Sequence, residues 1–226
     1  MPPLLCYFKH FGYGNNAILD FLTKLDIKYS SDWIGRRSPT DRIMAMIDII
    51  KVIEAAKNVE DVSNSKCFDI DADSFIDEIK GPAYGKRFAR YLLLKLDLFY
   101  SDHGIPMNVE NLSVEHILPQ TPANGSDWMK KFSQEERDEW THKVGNLVLI
   151  TGSKNQELGR LDYREKVEKY FNERIDTVPL TLHVLNKYKY GNWTPKELEE
   201  NHRALLEKVC KCYGIDQAKL LNKMND

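Results

Sequence analysis

The sequence predicts a mainly α-helical protein of the α+β class with one small strand–strand–helix unit. Three observations predict it. Much of the first hundred residues keeps apolar side chains at helical spacing. Two short β-like runs, SVEHIL and NLVLIT, then flank a polar insert. After the second run come GSKNQELG and a charged helical run, DYREKVEKYFNER.

The elements follow in order. A helix is expected to begin near Asn15, with Ile18, Leu19, Leu22 and Leu25 at helical spacing. Ser38-Pro39-Thr40-Asp41 is a helix start, and DRIMAMIDIIKVIEAAKN after it is the strongest helix of the chain. Its expected buried stripe is Ile43, Met46, Ile47, Ile50 and Ile53. Asp71 to Ser74 opens a short helix, SFIDEIK, which Gly81-Pro82 closes. The run GKRFARYLLLKLDLFYSD reads as a long amphipathic helix with Lys86, Arg87 and Arg90 near its start. Those cations form either a solvated face or a phosphate-contacting face.

The character changes at His103-Gly104-Ile105-Pro106, where the β-like runs begin. The expected division is therefore 1–104 as a helical scaffold and 105–226 as the strand–strand–helix domain with C-terminal helices. In the insert, Ser133 with Glu136 is a capping box. Asp162 is the candidate cap of the charged helix. Thr194, Pro195 and Glu197 give the last long helix a cap, a proline at its first position and a capping box.

Composition narrows the function classes. The 226 residues include 32 Lys and Arg against 34 Asp and Glu, a net charge of −2, so no global basic charge points to nucleic acid. A nucleic-acid partner would have to meet a local patch or a metal ion. Cys6, Cys67, Cys210 and Cys212 form no disulfide framework, and Cys210 with Cys212 lacks a second ligand pair for zinc. No signal peptide or membrane-length apolar run is evident. The expectation is a cytoplasmic protein without a membrane partner.

Chemistry concentrates in three places. Glu115-His116 lies in SVEHILPQ, Asn146 in HKVGNLVLI and Asn155 in TGSKNQELG. Phosphodiester hydrolysis needs a deprotonated, aimed water, offset phosphate charge and a stabilised leaving oxygen. His116 has the side chain for a general base. Glu115 is a hard oxygen ligand suited to Mg²⁺ or Mn²⁺. The Asn146 carbonyl can accept from the His116 ring and fix its tautomer. Asn155, near a Ser153/Gln156 capping box, supplies a neutral oxygen for the same metal. Successive strand residues face opposite ways, so Glu115 and His116 share a site only if the strand ends there, as Pro119 suggests. Taken singly, each has an ordinary structural reading as surface pair, turn or cap. Their order is that of a ββα-metal (HNH, His-Me finger) unit.

From about Gly85 onward the chain also resembles the C-terminal HNH-like domain of the GmrSD-type modification-dependent restriction endonucleases. The matching pieces are KRFARYLLLKLD, SVEHILPQ, HKVGNLVLI and KNQELG with Tyr163 and Lys166. The VPLT run, Trp193-Thr194 and Arg203 follow. The resemblance implies a ββα-metal fold and DNA cleavage with a divalent cation. It puts the base on His116, metal-ligand roles on Glu115 and Asn155, and the orienting role on Asn146. Lys166 becomes a phosphate or structural contact, and Arg203 a phosphate or supporting residue. His142 matches a position that is often His, with its role open.

Glu115 departs from the Asp or His that many HNH enzymes use. Family members usually carry a ParB-like N-terminal domain with a DGQQR-type motif, a string not found here. The expected partners are DNA, modified or not, and a ParB-like domain or separate subunit. The competing reading is a non-catalytic DNA- or partner-binding module, or a fragment of a larger nuclease.

Overall fold

The computed structural model describes residues 2–101, 112–151, 159–172, 179–188 and 191–225. The chain divides into two compact units, Met1–Glu78 and Ile79–Asp226.

The first unit is helical: α1 (Pro2–Phe11), α2 (Ile18–Ile34), α3 (Pro39–Ala55), α4 (Val59–Ser63), a 3-10 turn at Lys66–Phe68 and the start of α5 (Ala72–Lys80). Ser38 caps α3 by accepting from the Asp41 amide at 3.1 Å, as its sequence predicts. The buried face of α3 differs from the expected stripe. Ile49 and Ile53 are buried, whereas Ile43 is 59% exposed and Ile47 is exposed as well. The core they join holds Tyr7, Phe21, Leu25 and Val62, with Tyr7 stacked on Phe21 at 4.1 Å. α1 packs on α3 and selects the Ile49 row over its neighbour. Periodicity alone could not choose, because α3 is apolar on more than one face.

The second unit holds α6 (Ala89–Asp97), β1 (Leu112–His116), α7 (Asp127–Lys131), α8 (Gln134–Trp140) and β2 (Leu147–Thr151). After these come α9 (Tyr163–Asn172), α10 (Pro179–Lys187), α11 (Pro195–Cys212) and α12 (Gln217–Asn225). β1 and β2 form an antiparallel pair in which Glu115 faces Val148 and His116 faces Leu147. Ser133 and Thr194 both make the expected capping boxes.

Two details depart from the sequence reading. The run GKRFARYLLLKLDLFYSD forms a nine-residue helix rather than a long one. The unit boundary falls at Glu78/Ile79, where the change of sequence character had suggested 104/105. The reason lies in packing: α6 covers β1 and β2, so it belongs with the strands.

Buried polar groups tie the layers of this unit together. The Asp97 carboxylate accepts from the Leu180 amide at 2.6 Å, at the start of α10, and burial raises its pKa. Thr181 donates to the Leu149 carbonyl at 2.8 Å and so fixes α10 on β2. Among the described residues no helix is long and apolar enough to cross a membrane.

Candidate functional site

The site is built on the end of β1. Asn146 closes a short 3-10 turn, Val144–Asn146, that leads into β2. Its carbonyl accepts from Leu118 N at 2.7 Å, and its amide donates to the carbonyls of Leu118 and Thr141, each at 2.9 Å. Ile117 N bonds the Asn146 backbone carbonyl at 2.9 Å. These bonds end the strand at His116 and turn the chain away, the condition that Glu115 and His116 must meet to serve one site.

The same bonds give the Asn146 side chain partners other than the expected one. The Asn146 side chain is fully buried and committed to backbone groups. A bond from its carbonyl to the His116 ring is not among its contacts. Asn146 shapes the 116–118 turn, and the ring has a different partner.

That partner is His142. His116 Nε2 lies 3.3 Å from His142 Nδ1. The Tyr84 ring meets the His116 ring edge-on at 4.2 Å and stacks on His142 at 5.5 Å, 15° from parallel. His116 is only 4% exposed. Its pKa falls to about 3, first through burial and then through the nearby His142 and Lys166 charges. The imidazole is therefore neutral over the whole physiological range.

Lys166, on α9, sits on the other side of β1. Its Nζ donates to Glu115 Oε1 at 3.1 Å and to the His116 carbonyl at 2.7 Å. Burial raises the pKa of Glu115, while Lys166 works against that rise. Burial likewise lowers the pKa of Lys166, and Glu115 opposes the change. Each ion thus needs the other.

A second layer holds the β2 side. Gly145 N donates to His202 Nδ1 at 3.2 Å, and Asn201 donates to the Gly145 carbonyl at 2.7 Å. The backbones meet so closely that a Cβ on Gly145 would lie 2.5 Å from His202 Cβ and 2.6 Å from its Cα. His202 is buried, with its pKa lowered to about 4 mainly by desolvation.

The expected residues thus separate into groups. Glu115, His116, His142 and Lys166 form one connected cluster, and Asn146 shapes its turn. Arg203 is instead exposed and paired with Glu199 at 3.1 Å. Asn155 lies outside the described residues. Tyr84, Asn201 and His202 were missed by sequence reasoning. A signal existed for the last two: they fall on the stripe set by Leu198, Leu205 and Val209 in α11.

The donor set can be tested against a divalent cation. Glu115 offers a buried carboxylate whose charge is already balanced by a cation, the Lys166 ammonium. A hard metal ion suits that oxygen donor but would have to displace the ammonium to reach it. Among the described residues no three His, Cys, Asp or Glu side chains converge into a fuller cage.

Residues 69–208 match the family model for the C-terminal domain of GmrSD restriction endonucleases. The chain belongs to this family. Its match includes β1, β2, α9 and most of α11, and so every residue of the cluster. A GmrSD C-terminal domain is a nuclease-related part of a restriction system. Comparison with curated proteins and with solved structures found no match.

Proposed function

We propose that this GmrSD C-terminal domain is a metal-dependent endonuclease that hydrolyses DNA phosphodiester bonds, with an HNH-type site at the end of β1. The observation that carries the reading is the pairing, at one strand end, of a buried carboxylate with a buried neutral imidazole. Glu115, with Asn155, would hold Mg²⁺ or Mn²⁺. When bound, that ion supplies charge to offset the phosphate and the leaving oxygen.

The chain's own residues do the rest. His116, neutral before reaction, takes the proton of the attacking water. His142 and Tyr84 restrict its ring. Lys166 fixes the His116 carbonyl and so the height of the strand end. In this reading the cleavage part acts on invading or modified DNA in the cytoplasm, with recognition left to a ParB-like domain or subunit.

One observation favours the rival reading of a non-catalytic binding module: Lys166 already occupies Glu115. Supercoiled plasmid incubated with protein in Mg²⁺ or Mn²⁺ separates the two. The nuclease reading expects nicked or linear product that EDTA prevents and His116→Ala abolishes. Equal cleavage by His116→Ala would overturn it. Duplex binding without metal-stimulated cleavage favours the binding module.

A further inference from the structure

We propose that His142 is the positioning residue of the site: it accepts a hydrogen bond from His116 Nε2–H and leaves the His116 Nδ1 lone pair as the base. The inference deepens the nuclease reading and rests on it for its catalytic meaning.

The one proton bridging two imidazole nitrogens 3.3 Å apart can sit in two ways. If His142 Nδ1–H donates, His116 must carry its own proton on Nδ1. Both of its nitrogens are then committed, and it has no lone pair to offer water. If His116 Nε2–H donates, Nδ1 keeps its lone pair. Only the second arrangement makes a base of His116. Among the described residues, the one hydrogen-bond contact of the His116 ring is made through Nε2.

The placement of His142 is held from several directions. Its carbonyl accepts from Ala83 N at 2.8 Å and from Tyr84 N at 3.1 Å. The next residue, Lys143, forms a β-bridge with Pro82. Its ring stacks on Tyr84, which also touches His116, so one aromatic side chain sets the angle between both imidazoles. Other polar neighbours are committed elsewhere. Asn146 is bonded to Leu118 and Thr141, and Glu115 is paired with Lys166. A ring held at one nitrogen by a well-placed partner keeps one tautomer, as with the partners of metal-bound histidines.

Two substitutions separate the bond from the packing. His142→Phe keeps a ring against Tyr84 and removes the nitrogen. His142→Asn restores an acceptor, because the amide oxygen falls where Nδ1 was. The full chain, free of metal and near neutral pH, is studied by long-range ¹H–¹⁵N correlation of its histidine rings, with His116 assigned through His116→Gln.

The wild-type His116 ring is expected as the Nε2–H tautomer alone. His142→Phe should show both tautomers, and His142→Asn should return the single form. In plasmid cleavage, His142→Phe should lower kcat about 10- to 100-fold with KM little changed, and His142→Asn should recover most of the loss. A wild-type ring protonated on Nδ1, or a pure Nε2–H form persisting in His142→Phe, would overturn the proposal. The tautomer is read without metal or DNA. A protein that shows the expected tautomers but cuts nothing therefore supports the pairing and overturns only the nuclease reading beneath it.

Discussion

Lys166 Nζ lies 3.1 Å from Glu115 Oε1, and both side chains are buried between α9 and β1. Removing one member of such a pair strands the other charge. Lys166→Met should therefore cost ~3–5 kcal/mol of stability. The double variant Glu115→Leu, Lys166→Met should recover most of it, because two apolar side chains leave no buried charge. Urea unfolding of the wild type, Lys166→Met, Glu115→Leu and the double variant measures the cycle. Additive losses would show that the pair is not coupled.

Gly145 has no room for a side chain. Its Cβ would meet the Cβ, Cα and N of His202, all under 3.0 Å. Two of those atoms are backbone and cannot step aside. Gly145→Ala should cost at least ~1–3 kcal/mol, seen as a lowered Tm. Adding His202→Ala should not relieve it, since the clashing atoms remain. Recovery in that double variant would contradict the close approach.

Asn146 makes three buried bonds to backbone. At ~1 kcal/mol each, Asn146→Ala should cost about 3 kcal/mol. Chemical denaturation gives the number. A loss confined to cleavage, with stability unchanged, would restore the role first expected of Asn146 as a partner of the His116 ring.

The second unit should also weaken in mild acid. His202 titrates at about 4 when folded, against an ordinary 6.5. The unfolded chain therefore binds the extra proton between those values. Stability is intact above about 6.5 and falls as the pH drops toward 4. The shift corresponds to roughly 3 kcal/mol. Protonation would also turn the Nδ1 acceptor of the Gly145 amide into a donor. His202→Asn keeps an acceptor there and cannot gain the charge. Its stability should vary less with pH over that window than the wild type does. Equal slopes would remove His202 from the account.

Much of this site was legible because short-range chemistry marks it. Ser38, Ser133 and Thr194 cap the helices their sequences predict, since a cap is a contact within one turn. Glu115-His116 was legible as a chemical pair at a strand end. Its partners were not, because they arrive across the fold. His142 reaches His116 across 26 residues and Lys166 reaches Glu115 across 51. Nothing local distinguishes the Asn146 carbonyl that bonds a ring from the one that bonds an amide. The resemblance pointed to Arg203, yet the helix turns its neighbours Asn201 and His202 inward. The α3 stripe was misplaced for a related reason: several apolar rows were available, and α1 selected one.

The central claim is that Glu115 and His116 form one metal-bearing centre, and Mn²⁺ anomalous diffraction tests it most directly. Crystals of the full chain are soaked in MnCl₂ and measured near the manganese edge. The account predicts a peak about 2.1 Å from a Glu115 carboxylate oxygen, with Lys166 Nζ moved off that carboxylate. A Glu115–Lys166 pair left intact, with no peak beside it at saturating Mn²⁺, would contradict the claim.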